Sequence, residues 1–306
     1  MPSIHPPCIP VFAIVAALFV SQPSLAQELE PRTYSNTPTD VNIVTLAYAS
    51  SSGNVLLDPS LPVDDLDGKL NIGAIGYTRT LGLLNRNAKF KAYVPYAFGD
   101  WVGTLEGKPA TRDAQGFGDI RLKMEWNILG APALSSRDFV SWQQKTLVGT
   151  SVLVVMPTSD YNSNRVLNLG ANRWSVRPEI GVSHSIDNFT LELIANVWLF
   201  GDNNNFAGGN QLAQDPLYVL KGHLVYSLRP GFWFGAGVGF GRGGRTRLNG
   251  EYRATRQENF RYGVQVRYPI NKQHGVGASY LSAKNDGAGA EFNVFALNYN
   301  YAWGDL

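Results

Sequence analysis

Cysteine is almost absent from this sequence, which has a single such residue, Cys8, in 306 positions. Residues 1–26 also lack lysine, arginine, aspartate and glutamate, and they contain an apolar run at 11–20. The run is too short to span a bilayer as a helix, and small residues follow it, so the pattern predicts a cleaved secretory signal peptide over 1–26. We therefore expect a mature chain without a thiol for a disulfide, a metal site or a nucleophile.

Long apolar runs are also missing after residue 26, so the sequence predicts no membrane-spanning helix. Charge is sparse and balanced, because only 16% of the residues are charged and the formal net charge is +2. Such a balance gives no basic footprint, and no nucleic-acid partner is predicted. Glycine and aromatic residues are plentiful, with 32 Gly, 14 Tyr, 15 Phe and 7 Trp. A soluble β-rich domain and an outer-membrane β-barrel both fit this composition.

The alternation of polar and apolar residues separates these two classes. In GDIRLKMEWNI, residues 118–128, every second residue from Ile120 is apolar, and the residues between are charged or carry an amide. Successive side chains of a strand point to opposite faces, so this segment predicts a strand with one apolar and one charged face. The same period recurs in residues 88–99, 189–200, 232–243 and 257–269.

The length of these runs favours the membrane protein. They extend over about 10–13 residues, which exceeds the usual strand of a soluble sandwich and matches the length needed to cross a bilayer on a tilt. We predict an all-β, antiparallel transmembrane β-barrel of about 12 strands, with a range of roughly 10–14. The barrel would cover residues 39–306, and residues 27–38 would form an N-terminal periplasmic segment.

The predicted strands and connections follow from the same pattern. Strands are expected near residues 40–50, 69–80, 88–99, 117–128, 143–156, 173–185, 189–200, 216–228, 232–243, 257–269, 274–283 and 291–303. Connections that are mostly long and polar alternate with shorter turns, as is typical of outer loops and periplasmic turns in such barrels. An even strand number places both chain ends on the periplasmic side.

Charged residues fall on the face of the strands that points away from lipid. By alternation we assign to the lumen, as a possible solute path, Lys89, Lys91, Asp119, Arg121, Lys123, Glu125, Arg177, Glu179, Glu192, Lys221, Arg261 and Arg267. A buried unpaired charge is costly, so these groups must meet water or one another. Two interpretations stay open: the charges line a wet pore that biases which solutes pass, or opposite charges pair and close a narrow lumen.

Four segments carry a family resemblance. They are SSGNVLLDPSLPVDD at 51–65, PTSDYNSNRVLNLGANRWSVRPEIGVS at 157–183, QDPLYVLKGHLVYSL at 214–228 and GGRTRLNG at 243–250. With these segments the chain resembles the outer-membrane family named for the MetA pathway of phenol degradation, whose members are often called transporters. The resemblance covers nearly all of the mature chain, and it implies passage of hydrophobic or aromatic compounds.

Three functions are compatible with these features. The first is a passive channel for small hydrophobic or aromatic solutes, with the outer membrane as a partner and the barrel-assembly machinery acting during biogenesis. The second is a plugged structural or interaction barrel without transport. The third is an outer-membrane lipase or deacylase, for which His184 and His223 are candidates, but no nucleophile with its base is legible. We predict no catalytic residue, cofactor or metal site, and we expect no enzymatic activity.

Overall fold

The computed structural model describes residues 29–53, 63–105, 108–165, 168–285 and 290–306, and the predicted signal peptide lies outside these residues. The described strands are β1 (Val41–Gly53), β2 (Val63–Leu83), β3 (Arg86–Leu105), β4 (Lys108–Phe117), β5 (Arg121–Leu129), β6 (Thr146–Val155), β7 (Ser175–Ile186), β8 (Phe189–Phe200), β9 (Asn203–Phe206), β10 (Asn210–Gln214), β11 (Leu217–Arg229), β12 (Phe232–Gly243), β13 (Thr246–Leu248), β14 (Glu251–Tyr252), β15 (Gln257–Pro269), β16 (His274–Asn285) and β17 (Ala290–Gly304). One short helix, α1 (Ser136–Phe139), lies between β5 and β6. Among the described residues no helix has the length and apolar character to cross a membrane.

Twelve of the strands close into an antiparallel barrel, which confirms the predicted fold class. The ring runs β1, β2, β3, β5, β6, β7, β8, β11, β12, β15, β16 and β17. Pairing of β1 with β17 closes it, from Val41 opposite Gly304 to Gly53 opposite Phe292. Closure satisfies the backbone donors and acceptors that an open sheet edge would leave unpaired in hydrocarbon.

The apolar half of each alternating run points out of the barrel. On β8, Leu191 and Leu193 are exposed, whereas Thr190 and Glu192 beside them are buried. A soluble protein rarely exposes so much contiguous apolar surface, but a bilayer covers it. The start of β1, the end of β17 and the short turns lie at one end of the barrel, which we call the inner end. The connection between β5 and β6 also lies there, and the other long connections lie at the outer end.

The predicted strand near 117–128 corresponds to β5, which begins at Arg121, and the preceding β4 lies in residues expected to form an outer loop. β4 pairs with the outer part of β3, and β5 pairs with the inner part from Ala88 to Tyr93. Pro95 lies between the two stretches of β3, and it has no N–H to donate to a ladder. Its carbonyl still accepts a hydrogen bond from Gly118 N at 3.0 Å. The proline therefore marks the point at which β3 changes partner.

Part of the sequence expected to form irregular outer loops is in fact extended. β2 and β3 continue well beyond the predicted 69–80 and 88–99. The connections after β8 and β12 contain β9, β10, β13 and β14, which join into a four-stranded sheet. β10 pairs with β13, so two loops that are distant in sequence are tied together at the outer end.

At the inner end, the connection between β5 and β6 is bound to the C-terminal residues. Ser136, at the start of α1, donates its backbone N–H (2.8 Å) and its hydroxyl (2.6 Å) to the carboxylate of Asp305. These two hydrogen bonds favour the ionised form and lower the pKa of Asp305. The connection therefore lies against the end of β17, where it covers part of the inner rim.

A single arginine placed at two depths would test the orientation of β8. Leu193 lies near the middle of β8 and is 58% exposed, whereas Leu84 lies in an inner turn and is 76% exposed. Because arginine is poorly solvated by hydrocarbon, Leu193→Arg should lower the free energy of unfolding by about 2–4 kcal/mol, and Leu84→Arg by less than about 1 kcal/mol. Urea titration in lipid vesicles would measure both values. Equal effects of the two changes would contradict the assigned orientation.

Candidate functional site in the barrel lumen

The side chains of the predicted lumen charges lie on the inner face of the barrel wall. They are all buried except those of Lys91 and Arg267, which are partly exposed. Alternation thus assigns these side chains to the face that the structure turns away from lipid. Their role as a solute path stays a prediction.

One group of charges surrounds Glu125 on β5. Its carboxylate accepts hydrogen bonds from Lys91 Nζ at 2.7 Å, and Lys123 Nζ lies 2.9 Å away. Lys89 Nζ lies further off, at 3.9 Å. The cations come from the same strand and from the neighbouring β3, so the pairs run along the wall. One carboxylate cannot neutralise three lysines, and further anionic or carbonyl oxygens are required.

A second group surrounds Glu179 on β7. Lys221 Nζ lies 2.8 Å from its Oε2, and Asn196 Nδ2 donates to the same oxygen at 3.0 Å. The hydroxyl of Tyr34 donates to Oε1 at 3.1 Å, and Arg177 Nε lies 4.0 Å from Oε2. The Glu179 carboxylate is therefore fully enclosed by donors from three strands and from the residues that precede β1.

Residues 30–36, which precede β1, lie inside the barrel and contribute to both groups. Glu30 pairs with Lys123 at 2.6 Å, which supplies an additional anion to the lysines around Glu125. Lys89 Nζ donates to the carbonyl oxygens of Thr33 (3.0 Å) and Ser35 (2.7 Å). At a third point Arg32 N donates to the carboxylate of Glu192, at 2.8 Å. We call residues 30–36 the lumen segment.

Tyr34 anchors the lumen segment in a gap formed by two glycines. A Cβ on Gly149 would overlap the Tyr34 ring, and one on Gly181 would come within 2.5 Å of its Cε2. Only a residue without a side chain leaves room for the ring against β6 and β7. Burial raises the pKa of the Tyr34 phenol, so its hydroxyl stays protonated and can donate to Glu179.

Substitution of Gly149 by alanine should displace the lumen segment. Its Cβ would occupy the space of the Tyr34 ring, so we expect Gly149→Ala to show a larger single-channel conductance in planar bilayers than the wild type. Gly73→Ala is the matched control, because nothing lies within 4 Å of its Cβ position. If Gly149→Ala and Gly73→Ala conduct alike, the lumen segment does not obstruct the path.

Apolar side chains line the lumen nearer the outer end. On β11, Leu217 and Val219 precede Lys221 and His223 in the direction from the outer to the inner end. One cluster, the wall cluster, comprises Leu153, Val155, Trp198, Leu217 and Val219. The other, the outer apolar cluster, comprises Leu70, Ile72, Ala97, Trp101, Phe206, Leu212, Ala283 and Phe292. The two apolar clusters therefore lie nearer the outer end than the charges around Glu125 and Glu179, although the guanidinium groups of Arg173, Arg177 and Arg261 lie beside them.

Arginine side chains cover the aromatic part of the wall cluster. Trp198 stacks against Phe200, with 6.2 Å between ring centroids. The guanidinium of Arg177 lies 5.1 Å from the Trp198 ring, and that of Arg173 lies 5.0 Å from the Phe200 ring. Cation–π contacts of this kind hold a charge against an apolar surface. Trp198 and Phe200 were not among the predicted lumen residues, although their inward position follows from the same period of two.

Among the predicted lumen charges, Asp119 binds the backbone of the loop between β6 and β7. Its Oδ1 accepts hydrogen bonds from the backbone N–H groups of Thr158 and Ser159, each at 3.1 Å. Its Oδ2 accepts one from Ala171 N at 3.1 Å. A single carboxylate therefore fixes both ends of the loop between β6 and β7 at the outer mouth.

The two histidines considered for an enzymatic role lie on opposite faces of the wall. His184 is exposed, and its Nδ1 lies 2.8 Å from Thr146 Oγ1. His223 is buried in the lumen, with its Nδ1 3.3 Å from Glu192. The structure does not bring the two together. In the part of the chain that it describes, no cluster of His, Cys, Asp and Glu could hold a metal ion.

The Glu179–Lys221 pair can be tested against an exposed pair. Glu179→Gln would leave the Lys221 charge buried without its counter-ion, so we expect a loss of about 3–5 kcal/mol in the free energy of unfolding. Addition of Lys221→Met should restore most of that loss. The control is Glu258→Gln, which breaks an exposed pair with Arg242 and should cost less than about 1 kcal/mol. An equal loss in the single and double variants, measured by urea titration, would refute the coupling.

Comparison with known proteins places this geometry among bacterial barrels. Residues 39–300 match the profile of a family described as "Putative MetA-pathway of phenol degradation". An outer-membrane channel of Pseudomonas putida F1 is 20% identical, with a TM-score of 0.74, over 90% of this chain and 100% of that one. No curated protein matches this chain.

Two further barrels have a similar shape. The β-domain of the Bordetella autotransporter BrkA is 12% identical, with a TM-score of 0.52, over 86% of this chain and 100% of that one. A deletion mutant of the TodX monoaromatic hydrocarbon channel is 10% identical, with a TM-score of 0.51, over 90% of this chain and 92% of that one. At these identities the likeness shows the fold alone, which is that of outer-membrane β-barrels.

Proposed function

Because this chain belongs to the family described by the MetA pathway of phenol degradation, we propose that it is an outer-membrane channel for small hydrophobic or aromatic solutes. The observation that carries the proposal is the lumen itself. Its two apolar clusters lie nearer the outer end than the ion pairs around Glu125 and Glu179. Similarity in fold to the outer-membrane channel of Pseudomonas putida F1 and to the TodX monoaromatic hydrocarbon channel supports it.

The apolar outer part of the lumen would select the solute. An uncharged ring gains free energy on leaving water for such a lining, whereas a sugar or an ion would lose its hydration without compensation. Movement would be diffusion down a gradient, without a covalent step or a cofactor.

The lumen segment would act as the inner gate of this channel. Tyr34 and its neighbours occupy the inner lumen through hydrogen bonds and ion pairs rather than through apolar contacts alone. Polar contacts of this kind can be exchanged for contacts with water when the lumen segment moves. The segment would therefore close the inner lumen at rest and still allow a solute to pass.

We also propose how the chain reaches its membrane. Residues 1–26 would act as a signal peptide for export across the inner membrane, as their composition indicates. The barrel-assembly machinery would then recognise β17, whose outward face carries Phe295, Tyr301 and Trp303.

Single-channel recording in planar bilayers tests the channel function. We expect a small steady conductance that phenol lowers by entering the apolar part of the lumen. Cyclohexanol, a saturated ring with the same hydroxyl, should lower it less, and glucose should leave it unchanged. A folded barrel whose current none of the three alters would instead favour a plugged structural barrel.

A further inference from the structure

The outer apolar cluster joins the outer loops to the opposite wall. Phe206 and Leu212 belong to the loop between β8 and β11, whereas Leu70, Trp101 and Phe292 belong to β2, β3 and β17. In the order of strands around the ring, β2 lies directly across from β11. The loop therefore crosses the outer mouth and places the Phe206 ring among wall residues, where it is 7% exposed.

The wall beside the Phe206 ring contains Trp101, which packs closely against two glycines. A Cβ on Gly68 would come within 2.5 Å of the Trp101 ring, and one on Gly99 would come within 2.9 Å of it. The indole therefore lies flat on the backbone of β2 and β3, in space that only glycine leaves free. Leu70 and Ile72 extend the same surface along β2.

Phe206 lies beside a hairpin tip that has a backbone hydrogen bond to another loop, from Gly208 N to Ser163 O at 2.8 Å. It ends β9, an edge strand whose ladder to β10 has two aligned pairs and an irregularity between them. The next three residues, 207–209, all have positive φ, and a Cβ at Gly208 or Gly209 would meet nothing within 4 Å. Leu212, by contrast, lies on β10, which pairs on both sides with β9 and β13.

We propose that Phe206 occupies a solute-binding site and is displaced when an uncharged single-ring aromatic molecule binds there. The inference rests on the proposed channel function and names its outer site and its substrate class. The phenyl ring of Phe206 has the size of the solute, and it packs among the apolar side chains of the cluster. Exchange of one ring for another would preserve the buried apolar surface while the hairpin tip moves aside.

The same chemistry excludes ionised aromatic solutes from this site. A carboxylate would lose its water among Leu70, Ile72 and Phe292. The Arg261 guanidinium lies 5.5 Å from the Phe292 ring centroid, where it makes a cation–π contact with the ring. Neutral and charged forms of one ring should therefore differ clearly in binding.

Fluorescence of Trp101 reports occupancy of this site. The full mature chain in lipid nanodiscs would be titrated with 4-iodophenol, whose iodine quenches an indole on contact. Subtraction of the same titration with Trp101→Phe isolates the emission of Trp101 from that of the other tryptophans. Phe206→Ala should move half-quenching to about tenfold lower probe concentration, because the probe no longer competes with the phenyl ring.

Three further variants and one anionic probe serve as controls for the location of the site. Phe234→Ala removes a phenyl group that is 45% exposed on the lipid face, and it should behave as the wild type. Ala97→Phe added to Phe206→Ala refills the cluster and should abolish the gain. Phe206→Leu keeps an apolar side chain but no ring, and it gives an intermediate result even if the alanine variant folds poorly. The anion 4-iodobenzoate should quench Trp101 at least about tenfold less well than the phenol.

The outcomes separate this site from the channel function. Equal quenching in the wild type, Phe206→Ala and Phe206→Leu, or equal quenching by the phenol and the benzoate, would overturn the proposal. A gain that survives Ala97→Phe would also overturn it, because the probe would then bind elsewhere. If binding follows the expected order but phenol never alters the single-channel current, the site stands and the channel function fails.

Discussion

Closure of the sheet between β1 and β17 is the constraint on which the rest of the molecule depends. In hydrocarbon each backbone N–H and C=O needs a partner, so the strands must form a ring. A ring has an interior, and a side-chain period of two sends every second residue into it. Charges that face inward are then far from bulk water, and they are stable only when each carboxylate meets enough donors, as Glu125 and Glu179 do.

The lumen segment completes this electrostatic arrangement. The wall around Glu125 contributes more cations than anions, because Lys89, Lys91 and Lys123 share a single carboxylate. Glu30 and the carbonyl oxygens of Thr33 and Ser35 supply the missing acceptors. The lumen segment and the wall are therefore complementary in charge, and Gly149 and Gly181 make them complementary in shape at Tyr34.

The sequence was most informative where the structure depends on a local period. The predicted strands 189–200, 232–243 and 257–269 coincide with β8, β12 and β15, since alternation within one segment decides both existence and face. The division of β4 from β5 depends on the partner strand, where Pro95 interrupts pairing. Pairing of β10 with β13 and the placement of Phe206 against Trp101 join distant segments, and no local pattern records them. The ion partners of Glu179 were in the predicted set, but which cation meets which carboxylate is a property of the closed ring.

The position of the lumen segment also bears on how the barrel is made. Residues that touch β3, β5, β6, β7 and β8 from within are enclosed once β17 has joined β1. The simplest order of events is that the lumen segment is captured while the sheet is still open, with the final strand added afterwards. The lumen segment would then serve as a template on which inward-facing lysines and glutamates are matched before they leave water. Biogenesis would thus deliver the gate already seated, without a later threading step.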